Sequence, residues 1–148
     1  MTATLRALDS AIARALASAA GIVRVQDAAA LTEGIPDLPL IQVLWTGSQT
    51  SPGAASDRLT FGAGVRSTDI TFTIDVYARP RSHLGEDAAR AIDTADAVQA
   101  VLESERHPPF FGVTGANAIR WRAERVTFEY GATAYAGVRF TLTVTVFS

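Results

Sequence analysis

The chain predicts an α+β fold: one mostly antiparallel sheet, in the order α-β-β-β-α-β-β, with two helices packed on one face. Three observations lead there. Two stretches space their apolar residues at three and four, the period of an amphipathic helix. Two others alternate apolar and polar residues strictly, the period of a half-buried strand. The strands also come in runs broken by a single helix, not in the βα alternation that builds parallel sheets. The 148 residues suit one domain, 1–148, with a long flexible loop at about 46–66.

Residues 3–19 carry Leu5, Leu8, Ile12, Leu16 and Ala19 on one helical stripe, with Arg6, Asp9, Ser10 and Arg14 off it. Thr2 or Thr4 can cap the start, and Gly21 is a good stop. Residues 22–25 form a short extended piece, after which Pro36 and Pro39 keep the chain out of helix. Branched and aromatic content makes 40–45 a strand. Residues 46–66 are glycine-rich and polar, and Leu59-Thr60-Phe61 among them could pair as the tip of a long hairpin.

Residues 68–78 alternate, with Ile70, Phe72, Ile74 and Val76 facing one way and Thr71, Thr73, Asp75 and Tyr77 the other. Pro80 ends this strand. Gly85, Glu86 and Asp87 open a second helix with acids where the helix dipole favours them. Its stripe is Ala88, Ala91, Ile92, Ala95, Val98 and Leu102, and Pro108 and Pro109 stop it after Glu105. Ile119, Trp121 and Ala123 share one parity while Val126, Phe128 and Tyr130 take the other, which predicts a bulge or bend near Glu124-Arg125. After a turn at 131–134, the last strand buries Val138, Phe140, Leu142, Val144 and Val146 and turns Arg139, Thr141, Thr143 and Thr145 the opposite way.

Composition excludes several chemistries. Without cysteine there is no disulfide, thiolate metal site or cysteine nucleophile. All 13 basic residues are arginine, so a Schiff-base or P-loop lysine is excluded as well. A net charge of −2 gives no global attraction to DNA or acidic lipid. No apolar run is long enough for a membrane helix, and Asp9 and Arg14 interrupt the first apolar face in a way that argues against a secretory h-region.

Specific motifs point the same way. His83 and His107 lie apart in proline-bearing segments, without metal-ligand spacing. Gly62-Ala63-Gly64 lacks the third glycine and the following helix of a dinucleotide loop. Ser48, Ser51 and Ser56 sit in no nucleophile elbow. Asp93 and Asp96 read as a solvated helix face. The expectation is a protein that is not an enzyme, with no catalytic residue, cofactor or metal.

Contacts with other proteins are the better prospect. Arg79 and Arg81, beside His83, cluster where strand meets helix, and Arg120, Arg122 and Arg125 cluster further on. Arginine suits interface ion pairs because its planar fork matches carboxylates. Arg66 and Arg139 join this set of interface candidates. Asp75 reads either as one half of an inter-subunit salt bridge or as a solvated strand residue. Phe110 and Phe111 read either as an exposed contact or as a plug for the open end of the sheet.

Three local patterns, in this order and at this length, resemble the tail terminator and tail completion proteins of long-tailed bacteriophages and gene transfer agents. Residues 38–43, Leu-Pro-Leu-Ile-Gln-Val, look like the opening of that family's first long strand. Residues 72–77, Phe-Thr-Ile-Asp-Val-Tyr, resemble its central strand, and Tyr130-Gly131 through 135–140 its closing hairpin. The resemblance spans nearly the whole chain and rests on packing patterns.

It implies a structural virion protein with no catalytic residue to carry over. Six copies would form a homo-hexameric ring capping the head-proximal end of the tail tube. One face would meet the tail tube protein and the other the head–tail connector or stopper protein. DNA would be a partner only by passage through the lumen, with no membrane involved. The place would be the neck of the virion tail, assembled in the bacterial host cytoplasm. Another neck or tail component, or a small ligand-binding or enzymatic domain on a ferredoxin-like scaffold, are the alternatives. Arg79→Glu would then leave the fold intact and weaken assembly.

Overall fold

A computed structural model describes residues 4–32, 34–35, 37–51 and 67–147, apart from the side chain of Ser51. The chain runs α1 (Leu5–Leu16), β1 (Arg24–Gln26), β2 (Leu40–Ser51), β3 (Ser67–Pro80), α2 (Leu84–Ser104), a 3-10 turn at Phe110–Gly112, β4 (Ala116–Tyr130) and β5 (Thr133–Phe147). The strands form one sheet in the order β1-β2-β3-β5-β4, parallel at β1–β2 and antiparallel elsewhere. Both helices lie on the same face, α1 over β1 and β2, α2 over β3 and β5. This is the α+β architecture and element order that the periodicities predict.

α1 begins at Thr4, whose extended backbone lets Oγ1 accept from the Ala7 N–H at 3.0 Å. Such a cap contributes about 1 kcal/mol. The helix ends at Leu16, a turn before Gly21, which supplies the left-handed φ of 76° that redirects the chain into β1. Leu8, Ile12 and Leu16 are fully buried against the sheet.

The core is sandwiched between the helices and the apolar rows of the long strands. Ile70, Phe72, Ile74 and Val76 of β3 meet Val138, Phe140, Leu142, Val144 and Val146 of β5 there. Each such side chain, fully buried, contributes about 1.5–3 kcal/mol. On the other face a second cluster joins Leu40, Tyr77 and Phe128, with Ile35, Leu38, Val126 and Tyr135 packed on it. Tyr77 stacks on Phe128 at 4.4 Å and meets Tyr135 edge-on at 5.6 Å.

Three sequence expectations are corrected here. Residues 46–51 are strand, not loop: β2 continues through a bulge between Trp45 and Gly47 and pairs with β3 as far as Ser51–Ser67. These polar residues lack an apolar alternation, and it is the ladder to β3 that holds them. The remainder of the expected loop, with Leu59-Thr60-Phe61, Gly62-Ala63-Gly64 and Ser56, lies outside the described residues.

The parity change in β4 needs no bulge at Glu124-Arg125, because pairing with β5 is continuous from Ala118 to Tyr130. Ile119 and Trp121 pack on the helix side, while Val126 and Phe128 serve the cluster on the other face. One straight strand feeds two cores. The register shift in β4 falls instead between Ala116 and Ala118.

α2 keeps most of its expected stripe, with Ala91, Val98 and Leu102 buried and Ala95 packed on the core, but Ile92 falls outside it. Asp87, Ala91, Thr94, Val98 and Leu102 are buried, whereas Ile92 is 62% exposed. The Thr94 hydroxyl donates to the carbonyls of Arg90 and Ala91 at 3.1 and 3.0 Å, so its burial leaves no donor unpaired. Asp93 and Asp96 face solvent.

Candidate functional site

The candidate site is a pair of unlike sheet edges and the polar face between them. Away from the cluster of Leu40, Tyr77 and Phe128, the face opposite the helices carries threonines and charge. Thr71 and Thr143 approach at 3.5 Å, and Thr145 donates to Asp69 at 2.7 Å. Arg120 reaches the other oxygen of Asp69 at 3.5 Å. Arg122 stands exposed beside it.

Asp75 and Arg139 are paired to each other across β3 and β5, at 2.7 and 3.1 Å. Neither reading of Asp75 from the sequence holds, since its partner lies in the same subunit and the carboxylate is buried. Arg139 is correspondingly removed from the free interface set. The paired carboxylate raises its pKa further above the ordinary guanidinium value.

Arg79 and Arg81 are likewise occupied within the chain. Arg79 contacts Glu86 and the buried Asp87, each at 3.3 Å, and Arg81 lies 3.8 Å from Asp87. Asp87 also accepts the Ser82 N–H at 3.1 Å. The network pins the end of β3 to the start of α2. His83 and His107 are exposed.

Phe110 and Phe111 are plugs, not contacts. Each is only 9% exposed and belongs to the main core. A 3-10 turn folds them inward, with the Phe111 N–H held by the Glu105 carboxylate at 3.1 Å. Arg66 lies outside the described residues.

Two edges remain unpaired among the described residues. β4 is a 15-residue edge strand, and Arg120, Arg122, Glu124 and Arg125 along it are exposed. On the opposite side β1 covers only Leu40–Gln42 of β2, so β2 is open from Val43 onward. Exposed strand edges are templates for pairing with another chain unless charge or cover blunts them. Arginine supplies that charge on β4, whereas Trp45, 52% exposed, marks the β2 edge.

Beside Trp45 lies a pocket of about 290 Å³ lined by Leu5, Arg6, Asp9, Ala28 and Trp45. Asp9 is its most buried lining residue, 5% exposed. Its Oδ2 accepts the Ala28 N–H at 2.8 Å, while Oδ1 is buried with no hydrogen-bond partner. Burial raises the carboxyl above its ordinary 3.8; nearby Asp27 adds to the rise, and the Ala28 N–H and Arg6 oppose it.

Sequence reasoning missed this pocket. It placed Asp9 off the buried stripe of α1, and a carboxylate among solvated neighbours gives no warning of burial. An exposed tryptophan closing an apolar strand was the available signal. Among the described residues, no group of three or more His, Asp or Glu is placed to hold a metal, and no helix is long and apolar enough to cross a membrane. No protein-family model and no curated protein sequence matches the chain.

Proposed function

We propose that this chain is a ring-forming structural protein of a long-tailed phage or gene transfer agent, the terminator that caps the head-proximal end of the tail tube. The observation that carries this reading is the inequality of the two sheet edges. β4 offers a long arginine-bearing edge, and β2 offers an uncharged edge with an exposed tryptophan and an acid-lined pocket. A closed ring of identical subunits needs two different, complementary patches on each copy. A two-fold dimer would need one self-complementary patch instead.

The resemblance of residues 38–43, 72–77 and 130–140 to tail terminators supports the same reading and supplies its context. The ring would be a hexamer, seated on the tail tube protein and docked by a connector or stopper protein in the virion neck. It would be assembled in the host cytoplasm. A net charge of −2 suits a ring that DNA must traverse without being held.

Electron microscopy of the purified protein mixed with tail tubes tests this. Rings, and density at the head-proximal tube end, are expected. Their absence would overturn the assignment, and stacked tubes from the pure protein would make it a tube subunit instead.

A further inference from the structure

We infer that the pocket beside Trp45 is the receptor for Arg125 of a neighbouring copy, and that this contact closes the ring. The inference rests on the ring reading above and says which residues join.

The pocket's chemistry calls for a planar cation. Trp45 presents an indole ring that is half exposed, and indole is the best of the aromatic rings for a cation–π contact, which arginine makes more often than lysine. Asp9, lining the same pocket, holds an oxygen with no donor. A buried acceptor left unpaired is rare and calls for an explanation, which a donor from a neighbouring copy would give. Asp9 and nearby Asp27 outweigh the single guanidinium of Arg6 around the pocket. Arginine alone among side chains offers a flat face to the ring and several N–H donors to the acid together.

β4 supplies such a cation. Arg120 is engaged with Asp69, and Arg120 and Arg122 lie on the sheet face away from the helices. Arg125 stands opposite Val138, a core residue, and so is on the helix side, as is Trp45 opposite Phe72. Arg125 is exposed and makes no ion pair among the described residues. Within one sheet Arg125 is level with Ile41 and Trp45 with Trp121, so two copies set edge to edge with their helix faces aligned bring Arg125 of one to Trp45 of the next when they are offset by four residues along the strands. β4 and β2 run antiparallel within the sheet, so this approach repeats the alternation of strand directions from copy to copy.

The natural absence of cysteine makes a clean test available. The double variant Thr46→Cys, Glu124→Cys, at exposed positions beside Trp45 and Arg125 that leave the contact itself intact, should give a ladder of covalent oligomers when treated with a short bismaleimide. Mixed single variants should stop at heterodimers, because each copy then carries one reactive side. In sedimentation velocity, Trp45→Ala and Arg125→Glu should each lose the assembled species by tenfold or more in apparent affinity, with unchanged circular dichroism. Asp9→Asn should weaken it less, since the amide still accepts.

Assembly by Trp45→Ala and Arg125→Glu at wild-type strength, with no ladder, would overturn this contact and leave the ring to be closed elsewhere. A wild-type chain that stays monomeric both alone and with tail tubes would overturn both the contact and the ring. A two-fold dimer cross-linked through Thr46→Cys alone would assign the pocket to a symmetric interface and overturn the contact.

Discussion

Arg139 grips Asp75 with two nitrogens, Nε at 2.7 Å from Oδ1 and Nη2 at 3.1 Å from Oδ2, across strands 64 residues apart in sequence. Its guanidinium also lies 5.5 Å from the centroid of the Phe128 ring. One side chain therefore ties β5 to β3 and to the aromatic cluster fed by β4. The two partners are unequally placed, since the Asp75 side chain is 6% exposed and that of Arg139 38%.

That inequality sets the first prediction. Arg139→Ala strands a buried carboxylate, and removing one partner of a fully buried pair costs about 3–5 kcal/mol. Solvent reaching Arg139 moderates this, so a loss of about 2–3 kcal/mol is expected. Asp75→Ala releases a guanidinium that can turn to water and should cost less. Urea unfolding of both variants at neutral pH decides the order, and an equal or reversed order would contradict the burial asymmetry.

Gly137 sits where β5 is most crowded. A Cβ there would meet the Val76 carbonyl oxygen and come within 2.6 Å of Phe128 Cε2. Ordinary van der Waals contact between carbons needs about 3.5–4.0 Å. Gly137→Ala should therefore cost about 2–4 kcal/mol, by overpacking and by displacing the Phe128 ring from Tyr77. Gly137→Ala, Phe128→Leu should recover part of the loss in thermal unfolding. No recovery would place the strain at the Val76 carbonyl alone.

Asp9 makes stability depend on pH. Its carboxyl is raised above the ordinary 3.8 in the folded chain, mainly by burial. A raised acid favours the folded state while protonated, and that advantage is complete below 3.8 and lost as pH rises through the folded value. Asp27 strengthens the shift, and Arg6 and the Ala28 N–H weaken it. Asp9→Asn removes the titration while keeping an acceptor for Ala28. The variant should gain stability relative to wild type between about pH 4 and pH 7, read from urea midpoints. A difference that stays flat across that range would show that Asp9 does not titrate there.

The strict alternation of β3 and β5 made the main core legible, because Ile70, Phe72, Phe140 and Leu142 have no face to occupy but the covered one. What escaped was decided by distant partners. Phe110 and Phe111 look the same in sequence whether exposed or tucked under a sheet. Asp75 looked polar-faced by parity, yet Arg139 and the aromatic cluster bury it. Residues 46–51 carry no strand pattern of their own and are extended because β3 is long enough to pair with them. The pocket at Trp45 joins α1, the segment after β1 and β2, three pieces that no local pattern links.

Arg79 shows how a surface reading changes once its partners are seen. Arg79→Glu was expected to spare the fold, but Arg79 lies 3.3 Å from the buried Asp87. A glutamate there would face Glu86 and Asp87 with like charge. A loss of about 1–2 kcal/mol is expected, the range for disturbing a charged hydrogen-bonded group at a partly exposed site. Thermal melts should show it. An unchanged melt with weakened assembly would return Arg79 to the interface set.

The exposure of Ile92 on α2 gives the last test. The expected stripe includes Ile92, yet Ile92 is 62% exposed, and the sheet takes Ala91, Val98 and Leu102 of that stripe together with Thr94. Small residues let the helix backbone approach β3 and β5 closely, and Thr94 joins them because its hydroxyl is satisfied by the preceding turn. Ile92→Arg should then change stability by no more than about 0.5 kcal/mol, as at other free surface positions. Val98→Arg buries an unpaired charge and should abolish folding. The two variants differ by six positions on one helix, so circular dichroism at a single temperature separates them. An unfolded Ile92→Arg would return Ile92 to the buried stripe that the sequence assigns it with Ala91 and Val98. In that case Ile92 would face β3 and β5, and Thr94 would be left to solvent.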